Sequence, residues 1–241
     1  RRWAGERKFQ VGVHILRGLT DADAAAPVLT AIADAVIGAL LPRVLDEFAQ
    51  AHGRMPGGRI AILAQGRLGS REMSIDSDLD LVIVYDASGE AGSDGSRPLG
   101  PSHYYARLAQ RFISAISALT GEGRLYEIDT RLRPSGSSGP VASHLDAFRR
   151  YHREDAWTWE HMALTRARVV AASDDSLTQD LNQVVREVLL TPRDADRVVV
   201  EVADMRRRIA QEHGTEDCWQ VKHVRGGLVD LEFLAQQLQL I

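Results

Sequence analysis

Three short segments of this 241-residue chain hold the side chains best suited to chemistry: GRLGSRE at 66–72, SDLDL at 77–81 and EIDTRL at 127–132. Side chains in a strand alternate, so Asp78 and Asp80 share a face while Leu79 and Leu81 turn to the other side and can enter a core. Two carboxylates this close repel one another unless a cation sits between them. Magnesium takes hard oxygen ligands, uses few carboxylates and leaves places for water and phosphate oxygens. Asp129, on a later strand, would complete such a set. The same alternation puts Glu127, Asp129 and Arg131 on one face and Ile128 and Leu132 inward. Gly69 and Ser70 supply a phosphate side, because glycine lets backbone amides approach an anion and a serine hydroxyl can donate to it. Arg131 and Arg133 are candidates to neutralise a triphosphate. The chemistry implied is metal-assisted work on a phosphate-bearing ligand, with Asp78, Asp80 and Asp129 the candidate metal-binding and catalytic residues.

Each piece alone has a plainer reading. A D-x-D is often a solvated strand edge, and a Gly-Ser pair is usually a turn. The ordered combination is far more specific than its parts. Other chemistries lack their signatures. There is no G-x-x-x-x-G-K-[ST] phosphate loop, no H-E-x-x-H frame around His152 or His161, and no G-x-S-x-G elbow, and the G-x-x-G at 66–69 is not a dinucleotide fingerprint.

The elements that must position these residues can be read from periodicity. RIAILAQ (59–65) and LDLVIVYD (79–86) read as buried strands and RLYEIDTRL (124–132) as a third. A helix is expected over 28–48, with Pro42 kinking or splitting it. MPGG at 55–58 is a turn, and 87–102 and 133–140 are loops. A second helix buries Leu108, Phe112, Ile116 and Leu119. After about Ser143 no long strand is expected and helical patterns dominate, as at Val198, Val202, Met205 and Ile209. This gives an α+β chain: strands with flanking helices over 1–143, then an all-helical module over 144–241. The closing run LVDLEFLAQQLQLI reads as a helix still in progress, so the chain is taken as a piece of something longer.

Composition is that of an ordinary globular protein, 44% hydrophobic and 26% charged. The net charge of -4 argues against nucleic acid as the main partner. The lone Cys218 cannot make an internal disulfide, so a reducing compartment is expected and a small, partly buried role for the residue. No apolar run of about 18 residues is read from the sequence, so no membrane span is expected. A cytoplasmic location follows as the expectation.

The order Gly-Ser, D-x-D, Asp resembles the DNA polymerase β-like nucleotidyltransferase superfamily. The segments AQGRLGSREMSIDSDLDLVIVYD (64–86), YEIDTRLRPSGSSGP (126–140), YHREDAWTWEHMALTRARVV (151–170) and VKHVRGGLVDLEFLAQ (221–236) resemble the glutamine synthetase adenylyltransferase family, and cover most of the chain from about 60 onward. That resemblance implies a polymerase β-like catalytic domain, with a mixed sheet and flanking helices, followed by a helical module. It implies a two-metal nucleotidyl transfer from ATP, with Mg2+ or Mn2+ held by Asp78, Asp80 and Asp129, Asp129 the candidate general base and a tyrosine hydroxyl of glutamine synthetase as acceptor. It implies regulation of nitrogen metabolism, with a PII signalling protein as a partner of the full-length enzyme. The family joins two related halves, one attaching AMP and one removing it by phosphorolysis. AWTWEHMALTRARVV and VRGGLVDLEF resemble the attaching half. The phosphorolytic half, or a non-catalytic regulatory module of the same fold, is the alternative. Ser70 departs mildly from the family pattern, where many members read Gly-Gly. The roles of Trp157, Trp159, Glu160, Arg166, Arg168, Asp230 and Glu232 are open, a Glu160–Arg166 ion pair among the possibilities and helix packing the plain reading for the two tryptophans.

Overall fold

The computed structural model describes residues 1–89 and 92–241. Two N-terminal helices, α1 (Arg2–Leu16) and α2 (Ala22–His52), lead into β1 (Arg59–Ala64), a short α3 (Gly66–Ser70) and β2 (Leu79–Asp86). Then come α4 (Pro101–Ser117), the two-residue β3 (Ile128–Asp129), β4 (Ala142–His144), α5 (Leu145–Glu154), α6 (Thr158–Leu164) and β5 (Arg168–Ala172). Three helices follow: α7 (Asp175–Leu189), α8 (Ala195–His213) and α9 (Leu228–Leu240).

The sheet is mixed, in the order β3-β2-β1-β5, with β4 also on β2. β1 runs antiparallel to β2 and to β5, whereas β3 and β4 lie parallel to β2 and share its outer edge in succession. Both faces are covered, which is why β1 reads as an unbroken apolar run rather than an alternating one. Ile60, Ile62, Leu79, Leu81 and Ile83 pack under α1, α2 and α4. Ala61, Leu63, Val82 and Val84 pack on the opposite side against α5, α6 and α7, through Phe148, Leu164, Leu177 and Leu181. Met162, Val198, Val202 and Leu240 form a small separate cluster joining α6, α8 and α9. The α+β class and mixed sheet agree with the sequence reading.

Several expectations are corrected. Pro42 neither ends nor splits α2, which continues from Ala22 to His52 through both Pro27 and Pro42. An internal proline costs about 3 kcal/mol, but burial of Leu41 and Val44 on either side of it contributes roughly 1.5–3 kcal/mol each. By length and composition α2 is also apolar enough to cross a membrane, which the sequence reading had not found. Its apolar face, with Leu29, Ile32, Ile37 and Leu41, is packed into the core. The strand expected over 124–132 shrinks to Ile128–Asp129, because the Asp129 carboxylate accepts the Arg131 backbone N–H at 2.8 Å and turns the chain away. α4 stops at Ser117, leaving Leu119 77% exposed. β5 supplies a strand beyond residue 143, in the stretch read as wholly helical: five residues between helices are too few to show a period of their own. Cys218 is exposed rather than partly buried.

Candidate active site

β2 delivers its first carboxylate from a strand that is otherwise core. Leu79 N–H donates to the Glu127 carbonyl at 2.9 Å, which seats β3 against the start of β2. The parallel register then sets Leu79 opposite Ile128 and Asp80 opposite Asp129. Asp78 lies one residue before the strand, on the same side as Asp80 by alternation. Carboxylate oxygens of Asp78, Asp80 and Asp129 come within 4.8 Å of one another. From behind, Lys8 of α1 lies over the Tyr126 ring at 4.4 Å and braces the approach to β3.

The cluster is electrostatically strained without a cation. Burial pushes the Asp80 carboxyl up to about 6, and the neighbouring Asp78 and Asp129 charges add to the rise. Asp129 goes the other way. Its burial raises the carboxyl, but side-chain and backbone hydrogen bonds from Arg131 outweigh that and hold it below the usual carboxylate range. Arg131 Nε and Nη2 donate to Asp129 Oδ2 at 2.8 and 2.5 Å, so a guanidinium supplies the missing positive charge. Three hard oxygen donors gathered this closely, one of them already held by a cation, fit a divalent metal.

Gly66 faces this cluster. Its φ is +52°, and a Cβ placed there would lie 2.0 Å from Asp80 Oδ2, so only glycine lets α3 approach the carboxylate. Gly69 answers a different demand: a Cβ would lie 1.8 Å from the Arg166 carbonyl oxygen, at the turn leading into β5. Ser70 Oγ donates either to the Gly66 carbonyl (3.1 Å) or to Glu72 Oε2 (2.8 Å), and accepts from Arg166 Nη2 at 2.8 Å.

Arg133 is turned inward to its own loop, donating to the carbonyls of Thr130, Ser137 and Gly139. The structure therefore gathers Asp78, Asp80, Asp129 and Arg131 into one group and sets Gly69 and Ser70 on the neighbouring α3, while Arg133 shapes the loop that carries Arg131.

One residue at the site was missed from the sequence: Gly66 follows directly on a buried strand, and that position was the available signal. Arg166, left with an open role, gave no sign of its partner Ser70, 96 positions away. The structure also places four of the other open residues. Glu160 does not pair with Arg166; it accepts from Tyr151 Oη at 2.8 Å and from Trp157 N–H at 2.9 Å, satisfying a free backbone donor at the start of α6. Trp157 is 67% exposed, so it is not a packing residue. Arg168 pairs through both terminal nitrogens with Asp34 of α2 and donates to the Leu68 carbonyl, closing the end of α3. Asp230 pairs with Arg206 and accepts the Gly226 N–H at 2.5 Å.

A family profile described as glutamate-ammonia ligase adenylyltransferase matches residues 1–184. A protein of Mesorhizobium japonicum named bifunctional glutamine synthetase adenylyltransferase/adenylyl-removing enzyme is 51% identical over 97% of this chain. Proteins of the same name from Bradyrhizobium sp. and Agrobacterium fabrum are each 48% identical, over 98% and 99% of the chain. In all three the chain spans 24% of the relative's length.

Proposed function

The chain belongs to the glutamate-ammonia ligase adenylyltransferase family, and from that premise we propose that it transfers AMP from ATP to a tyrosine hydroxyl of glutamine synthetase. The observation that carries this reading is the convergence of Asp78, Asp80 and Asp129 within 4.8 Å beside the glycine-bearing α3. The arrangement supports a polymerase β-like nucleotidyltransferase fold for the sheet and its carboxylates. On this reading every residue that meets metal or nucleotide from the sequence expectation lies before residue 143. The segment after it frames them, with β5 returned to the sheet.

Asp78, Asp80 and Asp129 would hold Mg2+ or Mn2+, which when bound neutralises triphosphate charge and activates the attacking oxygen. The chain's own groups do the rest. Ser70 turns its hydroxyl to the phosphates beyond the α-phosphorus, and Gly69 keeps the backbone thin enough for β5 to pack behind it. Arg131, its side chain 79% exposed on Asp129, swings to the phosphates, and Arg133 holds the loop from which it moves. Losing that ion pair raises the basicity of Asp129, which takes the tyrosine proton; a free tyrosine hydroxyl has a pKa of about 10 and needs such help. The tyrosine oxygen bonds to the α-phosphorus, the bond from that phosphorus to the bridging oxygen breaks, and pyrophosphate leaves.

The relatives' name carries both attachment and removal of the adenylyl group, so phosphorolysis at the same triad is the second reading. α-Labelled ATP, magnesium and unmodified glutamine synthetase discriminate. Label that appears on the synthetase and is lost on chelation supports transfer. ADP formed from AMP-modified synthetase and inorganic phosphate, with no forward labelling, replaces it with removal. For the whole protein we propose a cytoplasmic regulator of nitrogen metabolism with a PII signalling protein among its partners.

A further inference from the structure

Arg166 sits where two parts of the molecule meet. Its side chain, only 15% exposed, donates to Ser70 Oγ and to Glu72 Oε2 at 2.6 Å and forms an ion pair with Glu232 Oε1 of α9 at 3.1 Å. A cavity of about 430 Å³ opens at this point, with Gly69, Ser70 and Arg166 on one wall and Glu232, Gln236 and Gln239 of α9 on the other. One partly buried cation thus answers two carboxylates, and both are partly in water, with side chains 64% and 45% exposed.

We infer that Arg166 is a binding residue for the terminal phosphates of the nucleotide, and that Glu232 is the competing carboxylate it releases when those phosphates arrive. This rests on the nucleotidyl-transfer reading above. A planar guanidinium takes two phosphate oxygens in a fork, so a phosphate beside Ser70 replaces both carboxylates at once. Half-exposed ion pairs hold weakly, and the freed glutamates regain water at little cost. The exchange also has a direction. α9 is held to α6 and α8 by Phe233 and Leu240 and by the Asp230–Arg206 pair, with Val229 also buried, whereas Leu231, Leu234 and Leu238 stay exposed and of its charged groups Glu232 reaches toward α3. The Glu232 contact is therefore the link from α9 to the phosphate side of the site. Nucleotide entry loosens α9, and whatever holds α9 down weakens nucleotide binding.

Titration calorimetry of MgATP and of MgAMP into the parent chain, Glu232→Gln, Arg166→Ala and Asp80→Asn tests this. Removing the competitor should tighten MgATP roughly 3- to 10-fold in Glu232→Gln. Arg166→Ala should weaken MgATP at least about 10-fold, with MgAMP unmoved in both. A purely structural Glu232 would leave MgATP unchanged or weaker in Glu232→Gln, and either result overturns the inference. Binding that needs Asp80 but ignores Arg166 and Glu232 sinks the inference alone. No binding of MgATP by the parent sinks the nucleotidyl-transfer reading and the inference with it.

Discussion

Asp80 and Asp129 are register partners across the parallel pairing of β2 and β3, a ladder two residues long. A strand this short adds little to stability, yet it fixes where the second carboxylate lies relative to the first. The Asx turn at Asp129 ends the strand with the same side chain that joins the cluster. Asp129→Asn keeps an oxygen for the Arg131 N–H and so should keep the turn. The folded variant should show magnesium-dependent transfer reduced at least about 100-fold, with circular dichroism and melting near those of the parent. Retained transfer in a folded variant would count against the role given to Asp129.

Asp80 makes the metal-free protein pay in stability for its site. Its carboxyl titrates near 3.8 in an unfolded chain and at about 6 in the fold, so the folded state binds the proton more tightly. Below about pH 4 both states are protonated and that advantage is complete; it disappears as pH rises through about 6. Asp80→Asn, neutral at all pH values, should therefore be more stable than the metal-free parent by on the order of 2 kcal/mol near pH 7.5. The gap should close near pH 4. Urea denaturation across this range reads it directly, and equal stabilities at neutral pH would mean the cluster is not strained.

The two glycines of α3 should separate by what their side chains would strike. An added methyl at Gly66 meets the end of the Asp80 side chain, which can move aside. Gly66→Ala should therefore fold with a loss of about 1–2 kcal/mol from its positive φ and bind metal poorly. An added methyl at Gly69 meets the backbone of Arg166, so Gly69→Ala should lose about 3 kcal/mol or more. Thermal melts paired with Mn2+ titrations distinguish the two, and a Gly66→Ala protein with unaltered metal affinity would contradict the contact.

His152 gives an independent pH dependence away from the site. Its ring is 3% exposed, lies 4.4 Å from the Phe148 ring, and neither ring nitrogen has a hydrogen-bond partner among the described residues. Burial, aided by His161, pushes it down from 6.5 to about 3. The unfolded chain therefore takes up a proton that the fold refuses. Stability is complete above about pH 6.5 and is lost as pH falls toward 3, by about 2 kcal/mol at pH 5. His152→Leu should flatten that part of the stability profile. Parallel profiles for parent and variant would show that the buried ring does not drive acid unfolding.

The legible parts of the sequence were those whose signal is local. Alternation in 77–81 placed Asp78 and Asp80 on one side of a strand whose other side is core, and the residues of β1 and β2 followed from their apolar runs. What escaped depended on partners far along the chain. Ser70 read as a phosphate ligand in isolation, whereas in the fold its hydroxyl is shared with Arg166, 96 positions later. Arg133 read as a phosphate ligand by charge, but its guanidinium closes its own loop. Pro42 obeyed tertiary packing rather than its own helix-breaking tendency. β5 was hidden because pairing with β1, not its own composition, makes those residues a strand.

On the proposed function, Asp78, Asp80 and Asp129 together hold a divalent metal. Titration of Mn2+ followed by electron paramagnetic resonance tests it most directly, comparing the parent chain with Asp80→Asn and Asp129→Asn. Saturable binding by the parent, competed by Mg2+ and lost in both variants, is the result expected. Equal Mn2+ binding by all three proteins would contradict the account.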